Sequence, residues 1–328
     1  MKTKDKVLAL LQDRQGDFMS GQDMASALFV TRAAVWKAIK ALQEAGYAID
    51  AVTNKGYRLR QMPDIIDEAQ LQASLMEAGL PLTVYHYHEV TSTNDTALEL
   101  VKQQHRPVLV LADAQSKGRG RRGRAFYSPE NTGLYMSLAF GTEKSVREFR
   151  HVTALAALAT AQAVDDVAFD GADTTQIKWV NDIFLNGAKV AGILTECHET
   201  LEDNETYIVI GIGLNVYAPE NGFPKDLKTI AGAVFSGGNR KDGDVRSQIC
   251  QAILRYLYDF MEHGAADCLS AYRRKSFVIG SYVKINLFQG SYRYAFVDGI
   301  NDDYELLVTY DDGRKGTLCT GEVSVVKY

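Results

Sequence analysis

The sequence predicts an α+β protein of several domains: a helical head ending in a hairpin, a central α/β domain with a mixed sheet, and a small all-β barrel. Three observations support this prediction. The chain has 328 residues, more than one ordinary domain. Helix-type and strand-type hydrophobic patterns alternate through its middle. From residue 281, short strands broken by Gly and Asp take over. We place the domains at 1–62, 63–275 and 276–328.

Composition restricts the location of the protein. Hydrophobic residues make up 46% of the chain and charged residues 23%, an ordinary globular balance. The four cysteines form no C-x-x-C pair, so a disulfide framework or zinc site is not indicated and a reducing compartment fits. No apolar run reaches the ~20 residues that span a bilayer, and the start lacks a signal-peptide pattern. We therefore expect a cytoplasmic protein with no membrane partner.

Positive charge is concentrated in the head. The whole chain has a formal net charge of −5, but residues 1–60 hold ten Lys and Arg against six Asp and Glu. After a first helix over 4–14, Ser20 and Thr31 are predicted to cap two further helices joined by a tight turn. A basic head on an acidic body favours a polyanion at one end of the molecule.

The third predicted helix has two different faces. Val35, Ile39 and Leu42 share one face and should pack inward. The opposite face is cationic, and a predicted hairpin with its turn at 53–56 follows. The combination indicates a winged helix-turn-helix, with a helical docking module as the alternative. Trp36 either contacts a base or sugar or belongs to the core. The candidate DNA-contacting residues are Arg32, Trp36, Lys40 and Lys55.

The central region alternates strands and helices, with Asn186-Gly187 as a hairpin turn. Strands are predicted near 82–87, 108–112, 134–140, 175–179, 182–186, 189–197 and 206–214. Helices are predicted near 67–78, 94–104, 146–165, 244–263 and 265–274.

A basic, glycine-rich segment carries the strongest chemical signal. Residues 117–124 read KGRGRRGR, five cations and three glycines. Glycine lets the backbone wrap closely around a ligand, and arginine offers paired donors that match carboxylate and phosphate oxygens. The segment suits a loop that holds both anions and is mobile when undocked. A flexible surface loop and an RNA-binding segment are the alternatives.

Other motifs surround this loop in the sequence. Residues 92–94 (STN) offer hydroxyls and an amide to a ureido-like ring, with simple helix capping as the alternative. Gly211 and Gly213 lie in a strand and predict close approach by a ligand. Lys189 leads into an apolar stretch, where a cation either reaches solvent or serves a site.

Five motifs together resemble the bifunctional biotin protein ligase/biotin operon repressor (BirA-like) family. They are STN at 92–94, GRGRRGR at 118–124, KWVND at 178–182, KVAGIL at 189–194 and GIGLN at 211–215. The resemblance covers essentially the whole chain. It implies a class II synthetase-like catalytic domain and an SH3-like C-terminal barrel.

The resemblance also implies a two-step reaction. Biotin and MgATP give biotinyl-5′-AMP, and a lysine of the biotin carboxyl carrier protein then accepts the biotin. Further partners implied are operator DNA and a second copy of the chain, in a homodimer that biotinyl-5′-AMP promotes.

Candidate site residues divide into two overlapping sets. By the resemblance to this family, biotin is assigned to Ser92, Thr93, Asn94, Gln115, Arg119, Gly120, Arg121, Lys189 and Gly192. ATP is assigned to Arg121, Arg124, Phe126, Asn181, Asp182 and Asn215. Because two anions must meet in the first step, the site needs fixed positive charge. Lys189 and Arg121 are therefore the candidate catalytic residues, while Asp182 is left between a Mg²⁺ contact and a ligand hydrogen bond.

Three positions depart from the pattern. Val180 replaces the common proline of KWPND, Phe126 replaces a frequent tryptophan, and Trp36 replaces a smaller polar residue. We expect weaker nucleotide binding and no transferable operator sequence. The competing functions are a lipoate ligase, whose signature is absent, and a transcription factor whose larger domain only senses a ligand.

Overall fold

The computed structural model describes two compact units. One comprises Met1–Ile65 with Lys241–Val245, and the other comprises Ile66–Arg240 with Arg246–Tyr328. The described residues are 2–14, 16–44, 46–143, 149, 151–199, 205–236, 243–286, 291–319 and 321–326.

The first unit contains three helices and a hairpin. They are α1 (Thr3–Asp13), α2 (Gly21–Leu28), α3 (Arg32–Glu44), β1 (Ala48–Val52) and β2 (Gly56–Gln61). Both predicted caps form: the Ser20 hydroxyl accepts from the Asp23 amide at 3.1 Å, and the Thr31 hydroxyl accepts from the Ala34 amide at 3.2 Å. Strands β1 and β2 pair antiparallel. The helix-turn-helix and its hairpin therefore match the sequence prediction.

The core of this unit decides between the alternatives for α3. Val35, Ile39 and Leu42 are buried, as their spacing predicted. Trp36 is 52% exposed on the face that also exposes Arg32 and Lys40. The core interpretation of Trp36 was therefore wrong, and the residue is available for contact with a partner.

The second unit is built on a mixed seven-stranded sheet in the order β3-β4-β5-β9-β8-β7-β6. Its strands are β3 (Thr83–Val90), β4 (Val108–Gln115), β5 (Gly133–Thr142), β6 (Gln176–Lys178), β7 (Asp182–Leu185), β8 (Ala188–Glu199) and β9 (Thr206–Asn215). Only the β3–β4 pair is parallel. Asn186 and Gly187 both have positive φ between β7 and β8, as the predicted hairpin turn requires.

Five helices surround this sheet within the described residues. They are α4 (Glu68–Glu77), α5 (Thr93–Gln104), α6 (Val152–Phe169), α7 (Val245–His263) and α8 (Ala265–Lys275). Helix α5 packs on β4, β5 and β9, and α6 packs on β6, β7 and β8. Most of residues 146–150, where the sequence predicted the start of α6, lie outside the described residues.

Helix α6 is apolar on nearly all sides because it is a core helix. By length and composition it is the one described helix that could cross a membrane. Twelve of its residues are buried in the unit, including Leu155 and Leu158. A helix that packs on several sides needs apolar residues on several sides, so packing accounts for its composition.

The C-terminal strands form a separate antiparallel sheet in the order β13-β12-β11-β10-β14. They are β10 (Tyr282–Asn286), β11 (Tyr292–Ile300), β12 (Leu306–Tyr310), β13 (Lys315–Leu318) and β14 (Glu322–Val325). The sequence reading missed β13. Over the described residues β13 and β14 do not pair, so the barrel stays a prediction. The Trp179 indole N–H donates to the Tyr304 carbonyl at 2.7 Å and joins the C-terminal strands to the seven-stranded sheet's part of the unit.

A buried ion pair closes α8 onto α6. The Lys275 ammonium lies 2.5 Å from the Asp165 carboxylate and also contacts the exposed Asp173 carboxylate. Burial acts to raise the pKa of Asp165, but hydrogen bonds from Lys275, Thr174 and Thr175 outweigh it and lower that pKa. The charged form of Asp165 therefore contributes to the stability of the fold.

Replacing Asp165 should destabilise this unit. Asp165→Asn leaves a buried ammonium without its buried partner, so we expect a loss of about 3–5 kcal/mol in the free energy of unfolding at pH 7, measured with urea. Folding lowers the pKa of Asp165. The difference in the free energy of unfolding between wild type and this variant should therefore be complete above the ordinary pKa of an aspartate, and it should shrink as pH falls through the lowered pKa of the folded state. Asp173→Asn is the matched control, with an expected cost of about 0–1 kcal/mol, and equal losses would contradict the assignment.

Candidate active site

A cavity of about 690 Å³ opens on one face of the seven-stranded sheet. That volume suits a small organic ligand. All fourteen candidate ligand-binding residues from the sequence line it: Ser92, Thr93, Asn94, Gln115, Arg119, Gly120, Arg121, Arg124, Phe126, Asn181, Asp182, Lys189, Gly192 and Asn215. The structure thus brings them together, while the role of each stays a prediction.

Three glycines form the base of the cavity, which we call the glycine floor (Gly192, Gly211 and Gly213). Strand register places Gly192 beside Gly213, and Leu194 beside Gly211. The Gly192 row continues to Asp182 on β7, and Asp182 pairs in turn with Lys178 on β6. Because side chains opposite each other on paired strands share a face, this row crosses four strands on the cavity side.

A side chain of the protein lies over each glycine of the glycine floor. A Cβ atom on Gly211 would lie 2.0 Å from Asn94 Oδ1, and one on Gly213 would lie 2.6 Å from the Phe126 ring. A Cβ on Gly192 would lie 3.1 Å from Lys189 Nζ. Gly211 and Gly213 both line the cavity, so the close approach of a ligand to them stays a prediction. The missing Cβ atoms make room for site side chains.

Asn94 is held at both ends of its amide. Its Nδ2 donates to Glu196 Oε2 at 2.6 Å, and its Oδ1 lies 2.6 Å from the Ser137 hydroxyl. The residue is only 5% exposed. Fixed at both ends, Asn94 acts as an anchor that organises the cavity wall.

The start of α5 faces the cavity without ordinary side-chain capping. Ser92 is the N-cap residue, but its hydroxyl makes no capping hydrogen bond. The Thr93 amide and hydroxyl instead donate to Gln115 Oε1 on β4, at 2.9 and 3.1 Å. The alternative role of Ser92, simple capping of the helix by its hydroxyl, is therefore wrong.

The first arginine of the glycine-rich loop lies at this end of the cavity. Arg119 lies 2.6 Å from Asp95 and 3.2 Å from Glu196. Glu196 therefore connects the loop to the Asn94 anchor, because it accepts from both.

The remaining loop arginines lie toward β7 and the C-terminal sheet. Arg121 donates to Asn181 Oδ1 at 3.1 Å. Burial lowers the pKa of Arg121, partly offset by Asp182. Arg124 makes two hydrogen bonds of 2.6 Å to Glu322 on β14. Burial acts to raise the pKa of Glu322, but the Arg124 hydrogen bonds and nearby cations lower it overall.

Phe126 presents an aromatic surface over the floor. Besides covering Gly213, its ring meets Tyr135 edge to face, with centroids 6.4 Å apart. Burial raises the pKa of Tyr135 to about 12, so its hydroxyl stays protonated. Its oxygen lies 3.0 Å from the Pro129 carbonyl, to which it donates. The Phe126 ring thus lies between the backbone at Gly213 and the ring of Tyr135, which is itself held by its hydrogen bond.

Lys189 is placed by both its backbone and its side chain. Its Nζ lies 2.6 Å from Asp182 Oδ1, and its amide donates to the Ile230 carbonyl at 2.8 Å. Asn181, next to Asp182, donates to the Ile193 carbonyl at 2.8 Å. The ammonium is thus directed over Gly192 into the cavity.

Among the residues that sequence reasoning did not assign to the cavity or its wall are Ser137, Lys178, Glu196 and Glu322. Lys178 is the first residue of the KWVND motif, and Glu196 continues the strand of KVAGIL, so both could have been indicated from the sequence. Glu322 had no such signal, because it lies 198 positions from Arg124.

Carboxylates near the cavity do not form a metal cluster. Within the ranges the structure describes, no group of three or more His, Cys, Asp or Glu side chains could hold a metal ion. Asp182 is the cavity carboxylate closest to Lys189 and is already bound to it. One carboxylate is nevertheless compatible with Mg²⁺, which binds mainly through substrate phosphates and water.

Comparisons with known proteins agree with this geometry. A model of the Biotin/lipoate A/B protein ligase family matches residues 87–215, and an HTH domain model matches residues 3–58. The chain is 34% identical over 315 residues to the bifunctional ligase/repressor BirA of Bacillus subtilis, covering 94% of each. The chain belongs to the BirA family of bifunctional ligase/repressors. The Escherichia coli member is 31% identical over 214 residues, covering 64% of this chain and 63% of that protein.

Solved structures support the fold of this BirA-family chain. The biotin protein ligase from Aquifex aeolicus in complex with biotin and ATP superposes with a TM-score of 0.58 and 24% identity. The match covers 75% of this chain and 99% of the Aquifex chain. The central mixed sheet is therefore a biotin protein ligase fold.

Two of the three departures from the family pattern lie at or beside the cavity. Phe126, in place of the frequent tryptophan, keeps an aromatic ring over the floor. The Trp179–Val180 peptide bond is cis, and the Tyr272 hydroxyl donates to the Val180 carbonyl at 3.0 Å. Phe126 lacks the indole N–H donor of a tryptophan, whereas valine in place of proline removes no hydrogen-bonding side chain.

The glycine floor can be tested by a single methyl group. Gly211→Ala should displace Asn94 and break its bonds to Glu196 and Ser137, lowering the free energy of unfolding by about 1–3 kcal/mol in urea titration. Gly141→Ala is the control on β5, where the new Cβ would meet only the Tyr207 ring at an ordinary 3.5 Å. Equal stability of the two variants would show that Asn94 is not held against Gly211.

Proposed function

We propose that this chain is an ATP-dependent ligase that attaches biotin to a lysine of a biotin carboxyl carrier protein, and a biotin-responsive repressor of biotin genes. The observation that carries the ligase half is the cavity's charge. Four arginines of one loop and Lys189 line a space large enough for a carboxylate and a nucleotide. Membership of the BirA family supports both halves.

The first step joins two anions. A biotin carboxylate oxygen attacks the α-phosphorus of ATP, the bond to the bridging oxygen breaks, and pyrophosphate leaves. The carboxylate and triphosphate repel each other, so cations already in place lower the barrier. Lys189 bridges the carboxylate and the α-phosphate as charge develops, and Arg121 neutralises the same region.

Biotin would lie between the start of α5 and the glycine-rich loop at 117–124, which we call the arginine loop. Asn94 organises this wall, while Ser92 and Thr93 supply hydroxyls. The proposed biotin-binding residues are Ser92, Thr93, Asn94, Gln115, Arg119, Gly120, Arg121, Lys189 and Gly192. All nine line the cavity.

The nucleotide would lie toward Phe126 and Asn181. Phe126 offers a ring to stack on adenine, with less area than tryptophan. The proposed ATP-binding residues are Arg121, Arg124, Phe126, Asn181, Asp182 and Asn215. Mg²⁺, bound with the triphosphate, would further neutralise phosphate charge, and Asp182 is the carboxylate that would face it.

The arginine loop would also protect the intermediate. A mixed anhydride hydrolyses unless water is excluded until the acceptor arrives. A loop that holds both ends of biotinyl-5′-AMP covers the reactive carbonyl, and opening it admits the carrier lysine. That lysine attacks the carbonyl carbon, and AMP leaves.

DNA binding is assigned to the first unit. Arg32, Trp36 and Lys40 lie on one exposed face of α3, and Lys55 lies in the hairpin turn. In the family's manner, biotinyl-5′-AMP would promote a homodimer that places two such units on a two-fold operator.

The organisation of the chain completes the proposal. We assign residues 1–62 to DNA binding, 63–275 to catalysis and 276–328 to an SH3-like barrel, and the catalytic domain to the class II synthetase-like type. Cytoplasmic location, without membrane attachment, follows from DNA and carrier protein as partners.

Lys189 is the decisive test of the ligase step. Lys189→Ala should lower formation of biotinyl-5′-AMP by at least about 100-fold, because the bridging charge is lost. Pyrophosphate release from ATP and biotin measures it. Lys102→Ala, on the exposed side of α5, is the control and should keep the wild-type rate. Wild-type pyrophosphate release from the Lys189 variant would refute the assignment.

Incubation with a carrier domain separates the rival functions. Biotin transfer supports the proposal, lipoyl transfer supports a lipoate ligase, and absence of turnover supports a ligand-sensing transcription factor.

Removing residues 1–62 should eliminate operator binding and leave ligase chemistry detectable. DNA footprinting and pyrophosphate release measure the two activities. Trp36 gives a direct signal in the full chain: it is one of two tryptophans, and the other, Trp179, is 3% exposed. The tryptophan fluorescence emission of the full chain should therefore change when DNA covers Trp36.

A point variant controls for the truncation. Arg32→Ala with Lys40→Ala in the full chain should weaken DNA binding without changing adenylation, since both residues belong to the first unit. A footprint by the truncated protein would rule out the winged helix as the DNA reader.

A further inference from the structure

Lys178 is a cavity residue to which the site described so far gives no role. It ends β6 opposite Asp182, in the register row that leads to the glycine floor. Its side chain is partly buried and lines the cavity. The sequence gives it only as the first letter of KWVND.

The charge environment of Lys178 differs from that of its neighbours. Arg119, Arg124 and Lys189 each have a carboxylate partner within 3.2 Å. Among the residues that the structure describes, Lys178 has no ion-pair partner; its Nζ lies 5.9 Å from the centre of the Phe184 ring. Burial lowers the pKa of Lys178, while the charges of Asp182 and Glu322 act to raise it.

An ammonium in that position is suited to an anionic ligand. Partial burial removes water from the charge, and without an ion pair that cost is not recovered within the protein. A phosphate oxygen would recover it through a charge-assisted hydrogen bond. The carboxylate that holds Lys189 belongs to the residue opposite Lys178 on the neighbouring strand, so Lys178 and Lys189 lie on the two strands that flank Asp182.

We propose that Lys178 binds the β- and γ-phosphates of ATP and stabilises the departing pyrophosphate. With Lys189 at the α-phosphate, the remaining phosphates extend across Asp182 toward Lys178 and Arg124. As the bond between the α-phosphorus and the bridging oxygen breaks, its electron pair stays on pyrophosphate. Lys178 meets that added negative charge. The inference rests on the proposed ligase function.

The two half-reactions separate this role from a structural one. Pyrophosphate takes part in adenylation and in its reversal, but not in transfer of biotin from biotinyl-5′-AMP to the carrier. The full-length Lys178→Met variant is therefore compared with wild type in three assays: pyrophosphate release from ATP and biotin, ATP synthesis from biotinyl-5′-AMP and inorganic pyrophosphate, and biotin transfer from added biotinyl-5′-AMP.

We expect the KM for pyrophosphate to rise about 10- to 100-fold, as for loss of one hydrogen bond to a charged group. Adenylation should slow by about 100-fold. Transfer should stay within about twofold of wild type, because pyrophosphate takes no part in that step. Lys178→Arg should restore part of the pyrophosphate affinity. Lys102→Met, which removes another lysine near an aromatic ring but outside the cavity, should match wild type.

Two results would overturn the inference. An unchanged KM for pyrophosphate excludes Lys178 as its ligand, whatever the adenylation rate. An equal loss in the transfer assay shows that the substitution disturbs the whole cavity. If wild type itself formed no biotinyl-5′-AMP, the ligase proposal would fall with the inference; an active wild type matched by Lys178→Met would remove the inference alone.

Discussion

The site depends on three places where a side chain is missing. Gly192, Gly211 and Gly213 leave the sheet surface bare, and Lys189, Asn94 and Phe126 lie directly on it. One cation, one polar anchor and one ring are therefore fixed by close approach to the backbone. A strand interior normally loses stability with glycine. Here that loss makes room for the groups that define the cavity.

Local features of the fold could be predicted because their causes are local. Thr31 caps α3 and Asn186-Gly187 turns the β7–β8 hairpin, and each feature depends on a few adjacent residues. The cavity residues were identified through recognised motifs. The partners of those residues were not, because strand register and distant contacts decide them: Glu196 meets Asn94 from 102 positions away, and β14 brings Glu322 to the loop. The short strand β13 gave too weak a pattern to be separated from its turn.

Two carboxylate–lysine pairs of the second unit illustrate how surroundings divide structural from chemical roles. Asp165 and Lys275 are both buried, and threonine side chains donate to Asp165. Their charges therefore neutralise each other inside the fold and are not accessible to a ligand. Asp182 and Lys189 are equally close but remain partly exposed to the cavity. The first arrangement holds helices together, and the second keeps an ammonium in place while leaving it accessible.

Arginines of the arginine loop are already paired with carboxylates from other elements of the fold. Arg119 is neutralised by Asp95 and Glu196, and Arg124 by Glu322. An incoming anion therefore does not meet bare charge, and its binding is an ion exchange in which phosphate or carboxylate replaces a side chain. Much of the electrostatic gain is offset by the partners released, so selectivity rests on how well the newcomer's shape and charge match the arginine array. A simple inorganic anion would compete poorly in such an exchange.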